Sequence, residues 1–314
     1  MSAILMQEIT KVYQSGFLKR KPLRALHGFS INIRPGQVFG VLGPNGAGKS
    51  TAIKILLGLV HPTSGNASIF GRNVSDWRAR ASVGYVPEHP TLYGYLTGFE
   101  FLSLSSRLHS LPSKERKKKI ADALESVEMS KSAGMLIRQY SKGMMQRIIL
   151  AQALVSQPRL LILDEPTSGL DPLGRIKIRE IIQKEKEKNT TILFCTHIIS
   201  DAEMLCDELV ILSKGSVVCS GNIDTLLSSS SSKQTVCFSR APLEQLSASP
   251  VPFELIEEKD NSLKVSIEEH NTSAFLSFLL SKKAEINTLE STAQNLETVF
   301  FKAVLGDKSV HGNP

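Results

Sequence analysis

A chain of 314 residues can bury a large core and divides naturally into about two domains. With 41% hydrophobic and 21% charged residues it has a globular composition, and no apolar run approaches the ~20 residues that span a bilayer. Lys and Arg outnumber Asp and Glu by 37 to 30; residues 1–225 hold 29 against 19, and residues 226–314 hold 8 against 11.

A basic first part suits a nucleic acid, a membrane surface or a phosphate ligand. The clusters KRK (19–21) and KERKKK (114–119) lack interleaved aromatics, so they read as a solvated loop and a solvated helix face. Cys195, Cys206, Cys219 and Cys237 form no C-x-x-C pair, which favours reduced thiols over a zinc site or disulfide frame. The N-terminus MSAILMQEITKVY lacks a basic region followed by an apolar block, so no signal peptide is expected. The expectation is a soluble cytoplasmic protein, and work at a membrane would need spanning helices from another polypeptide.

In chain order, AILMQEITKVY and FSINIRPGQVFGVLG carry strand-like apolar positions that break at glycine and proline. KSTAIKILLGL has helical spacing at Ile53, Leu56, Leu57 and Val60. Residues 97–157 read as mostly helical, with Ile120, Leu124 and Val127 on one apolar stripe. Two short buried strands, LLILD (160–164) and TILFCTH (191–197), flank a helix near 172–188. Continuous apolar strands between helices predict an α/β fold with a parallel sheet covered on both faces.

The serine run 228–232 reads as a linker. Beyond it the pattern is strand 234–240, helix 242–248, strands 252–257 and 262–268 around the turn KDNS, helix 272–283, strand 285–290 and helix 295–305. That βαββαβ order predicts a small α+β ferredoxin-like module.

GPNGAGKST (43–51) follows the strand QVFGVL and opens a helix, matching G-x-x-x-x-G-K-[ST] through Gly43, Gly48, Lys49 and Ser50. Across Gly43, Pro44, Asn45, Gly46, Ala47, Gly48, Lys49, Ser50 and Thr51 the backbone can curl until successive N–H groups face one anion, and the helix start adds partial positive charge. Lys49 is placed to reach β- and γ-phosphates and the Ser50 hydroxyl to bind Mg²⁺. LLILDEP (160–166) puts Asp164 at the C-terminal end of a strand, where α/β sheets bind ligands. Asp164 suits the metal; the adjacent Glu165 can position or deprotonate an attacking water, which implies hydrolysis.

With these motifs in this order, residues 4–225 resemble the ATP-binding-cassette (ABC) ATPases, the motor subunits of ABC transporters. The resemblance implies a P-loop NTPase fold: a RecA-like parallel sheet with an antiparallel β subdomain and a helical subdomain at about 89–157. The implied layout is a nucleotide-binding domain at 1–227, the linker at 228–232 and an accessory domain at 233–314. The resemblance gives Tyr13 the adenine-stacking position, Asp171 of SGLD (168–171) the coupling of two protomers, and His197 the contact with the γ-phosphate. Asp171 also reads as the cap of a helix with Pro172 at its first position.

YSKGMMQR (140–147) occupies the place of the family's Leu-Ser-Gly-Gly-Gln signature. Ser141 and Gly143 match it; Tyr140, Lys142 and Met144 depart from it. Ser141 would cap the following helix, whose N–H groups in an ABC dimer face the γ-phosphate held by the other subunit. Glu88 stands where the family usually has glutamine, near Mg²⁺ and the attacking water; it can serve as catalytic residue and metal ligand beside Ser50 and Asp164.

The resemblance thus implies ATP and Mg²⁺ as cofactors. It implies a homodimer or paired ABC ATPase, a polytopic transmembrane permease partner, and a place at the cytoplasmic face of the membrane. The branch resembled is the prokaryotic exporters. A rival, a non-transport ABC ATPase acting on nucleic acid or ribosomes, would require a long coiled coil or a second cassette. With one phosphate loop and no long heptad region, no nucleic-acid partner is expected.

Overall fold

Strands β3 (Val38–Leu42), β7 (Leu160–Asp164) and β8 (Thr191–Thr196) are buried at every position, as strands covered on both faces must be. They lie side by side in a computed structural model that describes residues 2–14, 22–228, 233–239, 246, 249–259, 262–292 and 296–305. β6 (Val83–Val86) pairs with β7, and β9 (Glu208–Ser213) with β3, both in parallel; β10 (Ser216–Asn222) adds an antiparallel edge. The order is β10-β9-β3-β8-β7-β6.

A second, antiparallel sheet has the order β2-β1-β4-β5, from β1 (Ile4–Tyr13), β2 (Leu23–Ile33), β4 (Ser64–Ile69) and β5 (Arg72–Asn73). Helix α1 (Lys49–Leu56) shares one apolar core with both sheets, around Phe29, Ile53, Leu56, Ile162 and Leu193. α1 stops at Leu56, short of the spacing that ran to Val60, because Gly58 takes φ +64.

The helical subdomain holds α2 (Gly98–Leu108), α3 (Ser113–Ser126) and α4 (Lys142–Leu154). Thr97 and Glu100 close a capping box at the start of α2. The stripe Ile120, Leu124 and Val127 is buried, as its spacing required. α5 (Pro172–Glu187) and α6 (Ile199–Leu205) follow β7 and β8.

The chain divides into two compact units, Met1–Asn222 and Ile223–Pro314, a division that falls ahead of the serine run. The second unit begins with α7 (Ile223–Ser228). β11 (Lys233–Ser239), β12 (Glu254–Lys259), β13 (Ser262–Glu268) and β14 (Glu285–Thr292) form an antiparallel sheet of order β12-β13-β11-β14. That is the strand order of a ferredoxin-like module. Val236, Phe238, Val265 and Ile267 turn one face of the sheet toward Phe275 and Leu279 of α8 (Thr272–Ser281); α9 (Leu296–Leu305) closes the described unit. Leu246 is helical and buried, while the rest of the helix expected at 242–248 lies outside the described residues. So do KRK (19–21), residues 229–232 of the serine run, and the centre of the KDNS turn.

Candidate functional site

Four segments leave the C-terminal ends of the adjacent strands β3, β8, β7 and β6, and each carries chemistry. β3 ends at Leu42 and runs into the phosphate loop; β8 ends at Thr196, before His197. β7 ends at Asp164, before Glu165, and β6 ends at Val86, just ahead of Glu88. Parallel pairing brings these ends to one edge of the sheet.

The loop itself is held by its own backbone and its neighbours. Gly43 N–H donates to the Thr196 carbonyl (3.3 Å) and Ala47 N–H to that of Pro44 (3.1 Å). A Cβ on Gly43 would lie 2.3 Å from the Leu212 carbonyl oxygen. Gly48 takes φ +116, and a Cβ there would lie 2.6 Å from the Ala25 carbonyl oxygen. Both positions therefore need glycine. Lys49 curls back so that its Nζ donates to the Gly43 carbonyl (2.7 Å) and, more distantly, to that of Pro44 (3.4 Å).

The same ammonium stands 3.0 Å from Glu165 Oε1, and both side chains are buried. This is an ion pair without hydrogen-bond alignment, and Oε1 has no hydrogen-bond donor. The other oxygen, Oε2, receives the His197 side chain (Nδ1, 2.7 Å) and the His197 backbone N–H (3.3 Å). Glu165 holds φ +50, a left-handed conformation uncommon outside glycine, and its N–H donates to the Cys195 carbonyl (2.9 Å).

Asp164 is buried next to it. Burial, before any other cause, raises its carboxyl pKa to about 6; the nearby Glu88 and Glu165 carboxylates push the same way, while the Ser50 hydroxyl and Lys49 oppose. Its Oδ1 has no hydrogen-bond partner. Burial and the neighbouring Asp164 also push Tyr85 up to about 12.

A groove of ≈ 500 Å³ is lined by Tyr13, residues 44–51, Glu88 and Glu165, and also by Leu23, Arg24, Ala25 and Lys214; the sequence-assigned Gly43, Asp164 and His197 are not among its lining residues. Arg24 and Lys214 went unread. Lys214 sits in the turn between β9 and β10, whose Gly215 N–H donates to the Ala47 carbonyl (2.9 Å). A basic residue before glycine in a hairpin turn was the one signal for it, and it is a weak one.

Ser141, Lys142, Gly143 and Asp171 line a different groove, of ≈ 530 Å³, with Arg147, Gly169 and Lys177. Ser141 is the N-cap of α4, its hydroxyl accepting from Met144 N–H (3.3 Å). Asp171 caps α5 through the Gly174 N–H (2.7 Å), with Pro172 behind it. A Cβ on Gly143 would meet nothing within 4 Å, so this chain's own packing does not demand glycine there. Tyr140 is buried and donates to the Ser132 carbonyl (2.8 Å), so its departure from the signature serves the helical subdomain. The two grooves have no lining residue in common.

A strand-borne phosphate loop with a carboxylate pair at the end of β7, two strands away, is the site of a P-loop ATPase. The ABC transporter family model matches residues 26–168. An ABC transporter ATP-binding protein of Nostoc sp. is 44% identical over 230 residues, 73% of this chain and 69% of that one. YxlF of Bacillus subtilis, another ABC transporter ATP-binding protein, is 34% identical over 285 residues, 89% and 94% of the two chains. Among solved structures, the dimeric bacterial ABC transporter cassette MJ0796 superposes with a TM-score of 0.64 at 27% identity, covering 70% of this chain and 98% of that one. The same cassette is also known as a dimer in a post-hydrolysis state bound to ADP and Pi, at the same TM-score and identity. This chain belongs to the ABC transporter ATP-binding proteins. It is an ATP-binding ATPase subunit of that family.

Proposed function

We propose that two copies of this cassette, or this one and a paired ABC ATPase, close around two ATP molecules and drive a separate transmembrane permease of the exporter branch. The observation that carries this reading is the separation of the two grooves. The signature groove shares no lining residue with the groove of its own phosphate loop, which supports its serving another molecule's nucleotide. Open space at Gly143 and the outward N-terminus of α4 suit close approach of a phosphate from a partner. The dimeric cassettes among the structural relatives support the same arrangement.

In this reading Tyr13 stacks on adenine and the loop 43–51 wraps the phosphates. A triphosphate in the groove competes with Glu165 for Lys49, because phosphate oxygens carry more charge than one carboxylate. Glu165, released from Lys49 and still held by His197, accepts a proton from the attacking water. With Nδ1 turned to Glu165, the other ring nitrogen of His197, Nε2, is left for the γ-phosphate. Ser50 and Asp164, with Glu88 beside them, would hold Mg²⁺. The unpartnered Asp164 Oδ1 and an all-oxygen donor set fit that hard cation. An ion held there would supply charge neutralisation for the phosphates.

The helical subdomain exposes Tyr93, Tyr95 and Phe99, with the two tyrosine rings 5.9 Å apart. This patch suits docking of the permease. Among the described residues no helix is long and apolar enough to cross a membrane, which fits a spanning partner. We assign residues 1–227 to the nucleotide-binding domain and 233–314 to an accessory domain. The test is copurification with a polytopic membrane protein, followed by ATPase assay of the reconstituted complex. Stimulated turnover is the expected result; stable capture of ribosomes or DNA instead would favour the non-transport reading.

A further inference from the structure

The cassette holds a fully buried carboxylate that none of the steps above uses. Asp201 lies in α6, four positions beyond His197, with no exposed surface. Its Oδ2 accepts the hydroxyl of Thr167, which is equally buried. Its Oδ1 accepts Nε of Arg179 (2.8 Å) and the Nη2 of the same guanidinium. Three separate segments therefore end on one carboxylate.

Each segment leads to a group of the site. Thr167 lies two positions beyond Glu165, in the turn closed by Ser168 N–H to the Glu165 carbonyl (3.1 Å). Asp201 belongs to the first turn of the helix that follows His197, its N–H donating to the Ile198 carbonyl (3.2 Å). Arg179 projects from α5, the helix capped by Asp171. Beyond the pairing of β7 with β8 and the Glu165 N–H bond to the Cys195 carbonyl, side chains tie the segments of Glu165 and His197 at the site, through Glu165 Oε2 and His197, and behind it, through Thr167 and Asp201. The rear contact fixes the turn after Glu165 against the helix after His197, which the strand pairing does not reach. Glu165 needs such support, since its φ of +50 is held by its surroundings.

We propose that Asp201, with Thr167 and Arg179, is a positioning brace that sets Glu165 against His197 and holds the Asp171 loop in step with both. None of the three touches the nucleotide groove. They act through Glu165 and His197, so the inference rests on the roles assigned to those two residues.

The sharpest variant is Thr167→Val, which keeps volume and β-branching and removes only the hydroxyl. Thr167→Ser is its rescue. The full chain is assayed well below its melting temperature, with ATP binding followed separately by a fluorescent ATP analogue. Thr167→Val is expected to lower kcat by about ten- to a hundredfold, as small misplacements of catalytic groups do. Its nucleotide affinity and KM should stay within about twofold. Thr167→Ser should recover most of kcat, and Arg179→Met should follow Thr167→Val. Unchanged kcat in Thr167→Val, or a loss of binding parallel to the loss of turnover, would overturn the brace. Glu165→Gln in the same assay separates the two levels. If it turns over normally, the role of Glu165 fails and the brace with it; if it is inactive while Thr167→Val is normal, only the brace fails.

Discussion

His197 Nδ1 lies 2.7 Å from Glu165 Oε2, while Lys49 Nζ lies 3.0 Å from Glu165 Oε1. One buried carboxylate is thereby shared between His197 and the phosphate-loop lysine. Glu165→Gln would keep the shape and remove the charge that both partners face. Turnover is expected to fall at least about a hundredfold with ATP binding retained. Glu88→Gln, at a half-exposed side chain on the rim of the groove, should keep turnover within about threefold. Steady-state ATPase assays of both variants decide the matter, and near-normal rates in Glu165→Gln would remove it as general base.

The separate grooves make a complementation test possible. Lys49→Ala spoils a chain's own phosphate loop, and Ser141→Arg fills the signature groove it offers its partner. Each variant alone should be inactive, with Ser141→Arg still binding ATP. Mixed heterodimers contain one intact composite site, so an equimolar mixture should recover about a quarter of wild-type turnover. A mixture as inactive as its components would contradict the shared site.

Asp164 sets a pH dependence. Its folded pKa, about 6, lies above the ordinary aspartate value of 3.8, so the folded nucleotide-free chain binds the proton more tightly than the unfolded chain. The contribution of Asp164 to stability is therefore greatest below about pH 4 and is lost as pH rises through about 6. Asp164→Asn should stabilise the nucleotide-free chain at pH 8, by something on the order of 3 kcal/mol, and progressively less toward pH 4. Denaturant midpoints across that range measure it; a difference that grows as pH falls would reverse the sign.

Tyr140→Phe removes the hydroxyl that donates to the Ser132 carbonyl and accepts from the Gly98 backbone at the start of α2. A loss of about 1 kcal/mol in unfolding free energy is expected, with ATP affinity unchanged. Chemical denaturation and nucleotide titration report the two quantities separately.

Much of the chain was legible from local pattern. GPNGAGKST, LLILDEP and the caps at Ser141 and Asp171 are contiguous, and their backbone conformations follow from residues a few positions apart. The strands β4 and β9–β10 escaped reading. SGNASI is too polar to announce itself, and it becomes a strand by pairing with β1. Gly58 ended α1 early because one left-handed residue outweighs the apolar spacing around it. Nothing in the local pattern marks Asp201; its burial between Thr167 and Arg179 singles it out.

The sequence by itself determined which groups exist and which lie next to each other along the chain: the phosphate loop, the Asp164–Glu165 pair and the capped signature helix. The tertiary structure alone decided which distant groups meet. Lys49, Glu165 and His197 converge because β3, β8 and β7 are neighbours in the sheet, and the signature faces a groove of its own because α4 lies elsewhere. Strand order arises from pairing between segments more than a hundred residues apart in the chain, as between β3 and β8, and periodicity within a segment carries no record of its neighbour.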